Sequence, residues 1–156
     1  MRNFDSKYMK MAKIWATNSF AQRTKVGALI VKDGMIISDG FNGTPHGFEN
    51  ECEEFVSCDN TCTNLFGQDC EHCKEHKLKT NPYVLHAEAN AILKVAKSTN
   101  STEGATLYCT MAPCLECSKL IIQAGIVRLV YSEPYRDTSG IELLKRAGIQ
   151  IKQLKV

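Results

Sequence analysis

The sequence predicts an α/β protein in which a mixed β-sheet is covered by helices on both faces. Two observations support this prediction. First, an Asp33-Gly34 pair separates two β-prone apolar runs, residues 26–31 and 35–38, which is typical of a β-hairpin. Second, segments of helical and strand-like pattern alternate from residue 86 to the end of the chain. A hairpin followed by such alternation favours a mixed sheet between two layers of helices.

The chain is expected to begin with a helix over residues 5–17, with Asp5 or Ser6 as its N-cap. Four side chains at helical spacing are expected to face the core: Tyr8, Met11, Ala12 and Trp15. After the hairpin, residues 49–83 show no convincing period. Helices are then predicted over residues 86–97, 114–124 and 141–147, and strands over 105–110, 127–131 and 149–154. Gly125 and Gly148 are expected to end two of these helices.

Length and composition narrow the range of functions. A chain of 156 residues suits one domain, 1–156, that buries a core without disulfides. We expect a cytoplasmic protein, of a cell or of an infected host cell if it is viral, because no apolar leader or membrane-length run is present. The eight cysteines are then expected to be thiols or metal ligands. A net charge of +2 indicates no nucleic-acid partner, and nothing indicates a membrane partner.

Two separated segments carry residues that suit a catalytic metal. His86 and Glu88 lie in the first, and Pro113, Cys114 and Cys117 lie in the second. One histidine and two cysteines can hold a tetrahedral Zn²⁺ and leave its fourth position to water, as catalytic zinc sites do. Glu88 is placed to reach that water, and the pattern as a whole is the signature of zinc-dependent deaminases. Taken separately, each segment has another interpretation: a lone histidine is most often a satisfied polar residue, and a lone C-x-x-C is often redox-active or structural.

Two further segments are candidate ligand sites. Residues 40–47 are rich in glycine, which lets backbone N–H groups approach a ligand, although a simple turn explains the same composition. A loop as long as residues 49–83 is uncommon unless something pins it. A second, structural zinc is one candidate, and disulfides or free thiols are the alternative. The candidate ligands of a second zinc are Cys52, Cys58, Cys70, Cys73 and His76.

With these residues identified, the chain resembles the cytidine/deoxycytidylate deaminase family, and most of all its dCMP-deaminating members. The resemblance covers nearly the whole chain and is carried by residues 25–28, 40–45, 86–92, 113–126 and 131–135. It implies a cytidine-deaminase-like three-layer α/β/α sandwich with a mixed five-stranded sheet. It also implies hydrolysis of dCMP to dUMP and ammonia, which supplies thymidylate synthesis. Such enzymes are homohexamers that dCTP activates and dTTP inhibits with Mg²⁺.

The resemblance also assigns roles to residues of this chain. His86, Cys114 and Cys117 would bind zinc, and Glu88 would transfer protons. Asn42 would contact the sugar or base, the Ala87 N–H the pyrimidine carbonyl, and Tyr135 would lie near the substrate. Arg23 and Lys25 are candidate phosphate contacts, although a solvated basic face explains them equally well. The regulatory nucleotide site would include Gly40, Phe41, Asn42, Gly43, Thr44 and Gly47.

Two positions depart from the family pattern; neither touches the zinc chemistry, and the second bears on substrate preference. Phe41 stands where a tyrosine is common, and Met111-Ala112 occupy a position that varies with substrate. The alternatives are a bifunctional dCTP/dCMP deaminase, a nucleoside or base deaminase, or an RNA-editing enzyme, which the low net charge disfavours. An interaction module of the zinc-ribbon type is the remaining alternative. Glu88 argues against it, because a scaffold needs no carboxylate beside an open zinc position.

Overall fold

The structure is a computed structural model that describes residues 4–56 and 77–156. Its main sheet has five strands in the order β2-β1-β5-β6-β7. These strands are β1 (Gly27–Lys32), β2 (Met35–Phe41), β5 (Thr106–Met111), β6 (Arg128–Glu133) and β7 (Gln150–Gln153). β1 is antiparallel to β2 and β5, whereas β5, β6 and β7 are parallel. The predicted mixed five-stranded sheet is confirmed.

Helices cover both faces of this sheet. They are α1 (Asp5–Ala16), α2 (Ala87–Val95), α3 (Leu115–Gln123) and α4 (Ser139–Arg146). α1 packs on one face, where Met9 and Ala12 are buried against Leu29, Tyr108 and Val130. α2, α3 and α4 lie on the other face, over a second cluster built from alternate residues of the same strands. The predicted three-layer sandwich is therefore confirmed, with one helix on one side and three on the other.

The turn between β1 and β2 forms as predicted. Asp33 and Gly34 both have positive φ, 51° and 79°. That is the conformation a two-residue type I′ hairpin requires, and it matches the twist of the flanking strands. Among the described helices, none has the length and apolar character needed to cross a membrane.

The predicted core face of α1 is wrong for two of its four residues. Met11 and Trp15 are 44% and 37% exposed, whereas Met9, Ala12 and Ala16 are buried. Met9 packs on Leu29, Tyr108 and Val130, and the helix backbone comes close to the sheet at Ala12, where a Cβ on Gly27 would lie 2.2 Å from the carbonyl oxygen. The face of α1 that meets the sheet is therefore that of Met9, Ala12 and Ala16, which is rotated from the predicted face.

The predicted N-cap of α1 is also wrong. The N-cap is Phe4, and no side chain caps the helix. Asp5 lies inside the first turn, where its carboxylate is buried and accepts hydrogen bonds from Arg128, Lys152 and the Tyr108 hydroxyl at 2.7–2.9 Å. The hydrogen bonds from Arg128, the largest cause, hold the pKa of Asp5 well below its usual range. Asp5 thus ties α1 to β6 and β7.

The aperiodic segment contains a second, two-stranded sheet that the sequence did not reveal. β3 (Glu53–Val56) and β4 (Lys77–Thr80) pair as an antiparallel ribbon. Residues 57–76 of the predicted Cys/His-rich insertion lie outside the described part of the chain. Strands of four residues flanking so long a connection give no sequence signal comparable to that of a tight hairpin.

We predict that Asp5→Asn lowers the free energy of unfolding at pH 7 by about 2 kcal/mol, since it leaves two cations without their buried carboxylate. The direction in which this stabilisation changes with pH follows from the lowered pKa of Asp5. The stabilisation is complete above the ordinary aspartate pKa of about 4 and declines as the pH falls below it. The gap between wild type and variant should therefore narrow in acid.

Urea unfolding at several pH values measures this gap. Glu54→Gln is the matched control, because its ion pair with Lys79 is exposed and 4.0 Å long. A gap that stays constant down to pH 2 would contradict the assigned role of Asp5.

Candidate active site

α2 places His86 and Glu88 through close contact with β2. A Cβ on Gly40 would lie 2.1 Å from the Ala87 carbonyl oxygen, so only glycine allows this approach. The Ser38 hydroxyl donates to the Ala91 carbonyl oxygen at 2.6 Å. The Asn90 side-chain amide donates to the Phe41 carbonyl oxygen at 2.8 Å. β2 therefore fixes the first turns of α2, where His86 is the N-cap residue.

α3 places the two cysteines. Cys114 is its N-cap residue and Cys117 lies in its first turn, just after β5 ends at Met111. α4 packs against this turn through Gly140, where a Cβ would lie 2.4 Å from the Pro113 carbonyl oxygen. Both ligand segments are thus helix starts held by contact between backbones.

The structure brings His86, Cys114 and Cys117 together. Their ligand atoms lie within 4.8 Å of one another. His86 Nδ1 is 3.5 Å from Cys114 Sγ and 3.4 Å from Cys117 Sγ. A tetrahedral zinc with usual bond lengths of about 2.3 Å to sulfur and 2.0 Å to nitrogen separates such atoms by about 3.5 Å. These three residues therefore fit a zinc ion.

The pKa values of the two cysteines shift in opposite directions. The hydrogen bond from Cys117, and a smaller effect of His86, lower the pKa of Cys114 to about 3. The same hydrogen bond, together with burial, raises the pKa of Cys117. Binding of a metal by both sulfurs requires both cysteines as thiolates.

Glu88 lies beside this cluster and is only 4% exposed. Burial, as the largest cause, raises the pKa of its carboxyl to about 7. Cys117 is among the groups that hydrogen-bond to it. The carboxyl group therefore lies within reach of the open side of the ligand cluster.

The cluster opens into a cavity of about 500 Å³, a size that suits a small ligand. Seven residues predicted to be in the active site line it: Arg23, Asn42, His86, Ala87, Glu88, Cys114 and Tyr135. The structure adds wall residues that the sequence did not indicate: Glu53, Thr80 and Arg136. Lys25 is exposed and is not among the lining residues.

Asn42 uses its amide within the protein. Its Oδ1 accepts from the Val26 N–H at 2.8 Å, and its Nδ2 donates to the Thr24 carbonyl oxygen at 2.9 Å. An amide has one further donor and one further lone pair, which remain for a ligand. A contact from Asn42 to sugar or base stays a prediction.

The glycine-rich segment is structured by its own contacts. Gly43 exchanges two backbone hydrogen bonds with Leu85, at 2.9 and 3.0 Å, directly before His86. The Thr44 hydroxyl donates to Asn50 Oδ1, and Gly47 has φ +92°. Gly40 packs against the backbone of α2. The assignment of this segment to a regulatory nucleotide site stays a prediction.

Of the candidate second-metal ligands, the described residues include Cys52 alone. Its side chain is buried in the cavity wall, and burial raises the pKa of its thiol. The other candidates, Cys58, Cys70, Cys73 and His76, lie outside the described part of the chain. A second zinc therefore stays a prediction.

Comparison with known proteins decides the family. The model of the cytidine and deoxycytidylate deaminase zinc-binding region matches residues 2–133. The chain belongs to this family. The predicted family is confirmed, and with it the prediction of a deaminase.

Several relatives of this family are similar over most of the chain. Deoxycytidylate deaminase of Enterobacteria phage T4 is 35% identical over 94% of this chain and 87% of the relative. The Saccharomyces cerevisiae enzyme of that name is 36% identical over 97% of the chain, which spans only 45% of the yeast protein. The crystal structure of dCMP deaminase from cyanophage S-TIM5 with dCMP and dUMP superposes with a TM-score of 0.79. It is 39% identical and covers 99% of both chains.

We predict that Cys117→Ala abolishes stoichiometric zinc binding at the cluster, because two ligands hold zinc far more weakly than three. Cys109→Ala is the matched control: Cys109 is a fully buried free thiol in β5 that does not belong to the ligand cluster. Metal analysis of both purified proteins after dialysis checks this. A Cys117→Ala protein that loses no more zinc than the control would contradict the ligand assignment.

Proposed function

We propose that this protein hydrolyses dCMP to dUMP and ammonia, with a zinc ion held by His86, Cys114 and Cys117. The observation that carries the proposal is that a zinc-competent cluster, the buried Glu88 carboxyl and two guanidinium groups share one cavity. A nucleotide needs both kinds of group: the cluster and the carboxyl for its reacting ring, and cationic groups for its phosphate. The relatives named deoxycytidylate deaminases support the same substrate.

The chemistry divides between the metal and the chain. Zinc, when bound, supplies a Lewis acid that makes water nucleophilic at neutral pH. Glu88 takes up the proton that water loses and delivers it to the pyrimidine ring nitrogen N3. The water oxygen forms the new bond to ring carbon C4. Glu88 then carries the remaining proton of this oxygen to the exocyclic amine, which leaves as ammonia when the C4–N bond breaks. Because Glu88 is buried, bulk water does not compete for these protons.

Other residues orient the substrate. The Ala87 N–H lies in the first turn of α2, where backbone N–H groups have no partner within the helix, and it can donate to the pyrimidine carbonyl. Tyr135 lies in the wall beside Arg136, whose guanidinium carbon is 5.8 Å from its ring centroid. Arg23 and Arg136 are the candidate phosphate contacts, because guanidinium groups bind phosphate oxygens in pairs.

We predict that Glu88→Gln retains zinc but loses about 10²–10⁴-fold or more in kcat, since the amide cannot carry a proton. Glu142→Gln on the exposed side of α4 is the control and should match wild type. Loss of the cytosine absorbance with dCMP as substrate measures both. Near-normal turnover by Glu88→Gln would refute the proton-transfer role.

The same assay separates the alternative functions. dCTP, deoxycytidine and CMP are compared with dCMP, and preferential turnover of one of them would replace the proposed substrate. No turnover of any of them by zinc-loaded protein would favour the RNA-editing or interaction-module alternative. Product dUMP would supply thymidylate synthesis.

We further propose that dCTP activates and dTTP with Mg²⁺ inhibits a homohexamer of this chain. The support is that Gly43, in the predicted regulatory segment, is hydrogen-bonded to Leu85 next to His86. A nucleotide that moves this segment would therefore move a zinc ligand. The exposed Met11, Ile14 and Trp15 of α1 support a contact between subunits, because large apolar groups rarely cluster on a monomer surface.

We predict that dTTP with Mg²⁺ lowers the rate of dCMP deamination and that dCTP reverses this. Light scattering with and without each nucleotide gives the oligomer size. A rate indifferent to both nucleotides would remove the regulation and leave the catalytic proposal intact.

A further inference from the structure

An acidic residue lies in the part of the cavity wall that also contains the candidate phosphate contacts. Glu53 lines the cavity together with Arg23 and Arg136. A carboxylate with unpaired charge would repel a phosphate there. Both Glu53 oxygens are instead engaged by one turn of the backbone: Oε2 accepts from the Gln22 N–H at 3.0 Å, and Oε1 accepts from the Arg23 N–H at 3.3 Å.

The strand opposite Glu53 holds the other end of Arg23. The Arg23 guanidinium donates from Nη1 to the Thr80 hydroxyl at 3.2 Å. Glu53 and Thr80 are directly paired residues of β3 and β4, so their side chains point to the same face of the ribbon. One cross-strand pair therefore holds Arg23 by both its backbone and its guanidinium.

Arg23 is held differently from Lys79, which also lines the cavity. Glu54 and Lys79 form the next pair of the ribbon, and their charged groups are exposed and 4.0 Å apart. Arg23, in contrast, is an exposed, long side chain whose freedom is restricted before any ligand arrives. Such preorganisation reduces the entropy lost on binding.

We propose that Glu53 is a positioning residue that fixes Arg23 for the phosphate of a nucleoside monophosphate, and that it thereby makes the site prefer a nucleotide over a nucleoside. The inference rests on the proposed function, since it refines the substrate class of the same cavity. Glu53 acts through two hydrogen bonds to the backbone, and its charge is secondary.

One substitution changes the affinity for dUMP in opposite directions under these two roles. Glu53→Gln keeps the size of the side chain but turns one acceptor into an NH₂ group facing an N–H donor. If the hydrogen bonds matter, dUMP binds about tenfold more weakly and deoxyuridine binds as before. If Glu53 matters only as a negative charge, its removal strengthens dUMP binding.

Calorimetry on the zinc-loaded full chain gives both dissociation constants without requiring turnover. Glu51→Gln is the matched control, because it removes the same charge from an exposed position nearby, and it should change neither constant. Thr80→Val removes the hydroxyl that accepts from the Arg23 guanidinium, and it should weaken the binding of dUMP but not of deoxyuridine. Thr80→Val also provides the test should Glu53→Gln fail to fold, which its melting temperature would show.

A double-mutant cycle with Arg23→Gln tests the mechanism. Once Arg23 is replaced, Glu53→Gln should cause no further loss of dUMP binding. Additive losses, an equal loss for dUMP and deoxyuridine, or stronger dUMP binding by Glu53→Gln would each overturn the positioning role. The absorbance assay is independent of this result: absent dCMP turnover would refute the proposed function, whereas unchanged dUMP preference with normal turnover would refute only the role of Glu53.

Discussion

The position of the site depends on how closely helix backbones approach their neighbours. Gly40 lets α2 touch β2 at the Ala87 carbonyl, and Gly140 lets α4 touch the turn that precedes α3 at the Pro113 carbonyl. A contact of this kind has no rotamers, so it sets the distance between two elements more firmly than long side chains do. The ligand atom of His86 therefore lies at zinc-compatible distances from both sulfurs before a metal is added.

Local signals were sufficient to predict much of this arrangement. The Asp33-Gly34 turn, the helix ends at Gly125 and Gly148 with their positive φ, and the zinc residues at two helix starts all depend on neighbouring residues in the chain. Such features are decided by steric and hydrogen-bonding preferences that a sequence displays directly.

The wrong or missing predictions concern contacts between residues that are far apart in the sequence. The burial of Met9 in place of Met11 reflects which side of α1 meets Leu29, Tyr108 and Val130 of the sheet, and a helical period does not reveal this. The buried ion cluster of Asp5 joins residues more than one hundred positions apart. Glu53 and Thr80 reach the cavity through strands too short to be recognised. Long-range packing, rather than local preference, decided each of these features.

The ribbon of β3 and β4 shares no strand pairing with the main sheet within the described residues. The metal ligands are held by the sheet and its helices, whereas the wall facing Arg23 is supplied by the ribbon. The residues that can hold a metal and the residues that hold Arg23 are thus carried by different sheets. Substitutions at Glu53 or Thr80 can then change the cavity wall beside Arg23 without touching the residues that hold the metal ligands in place.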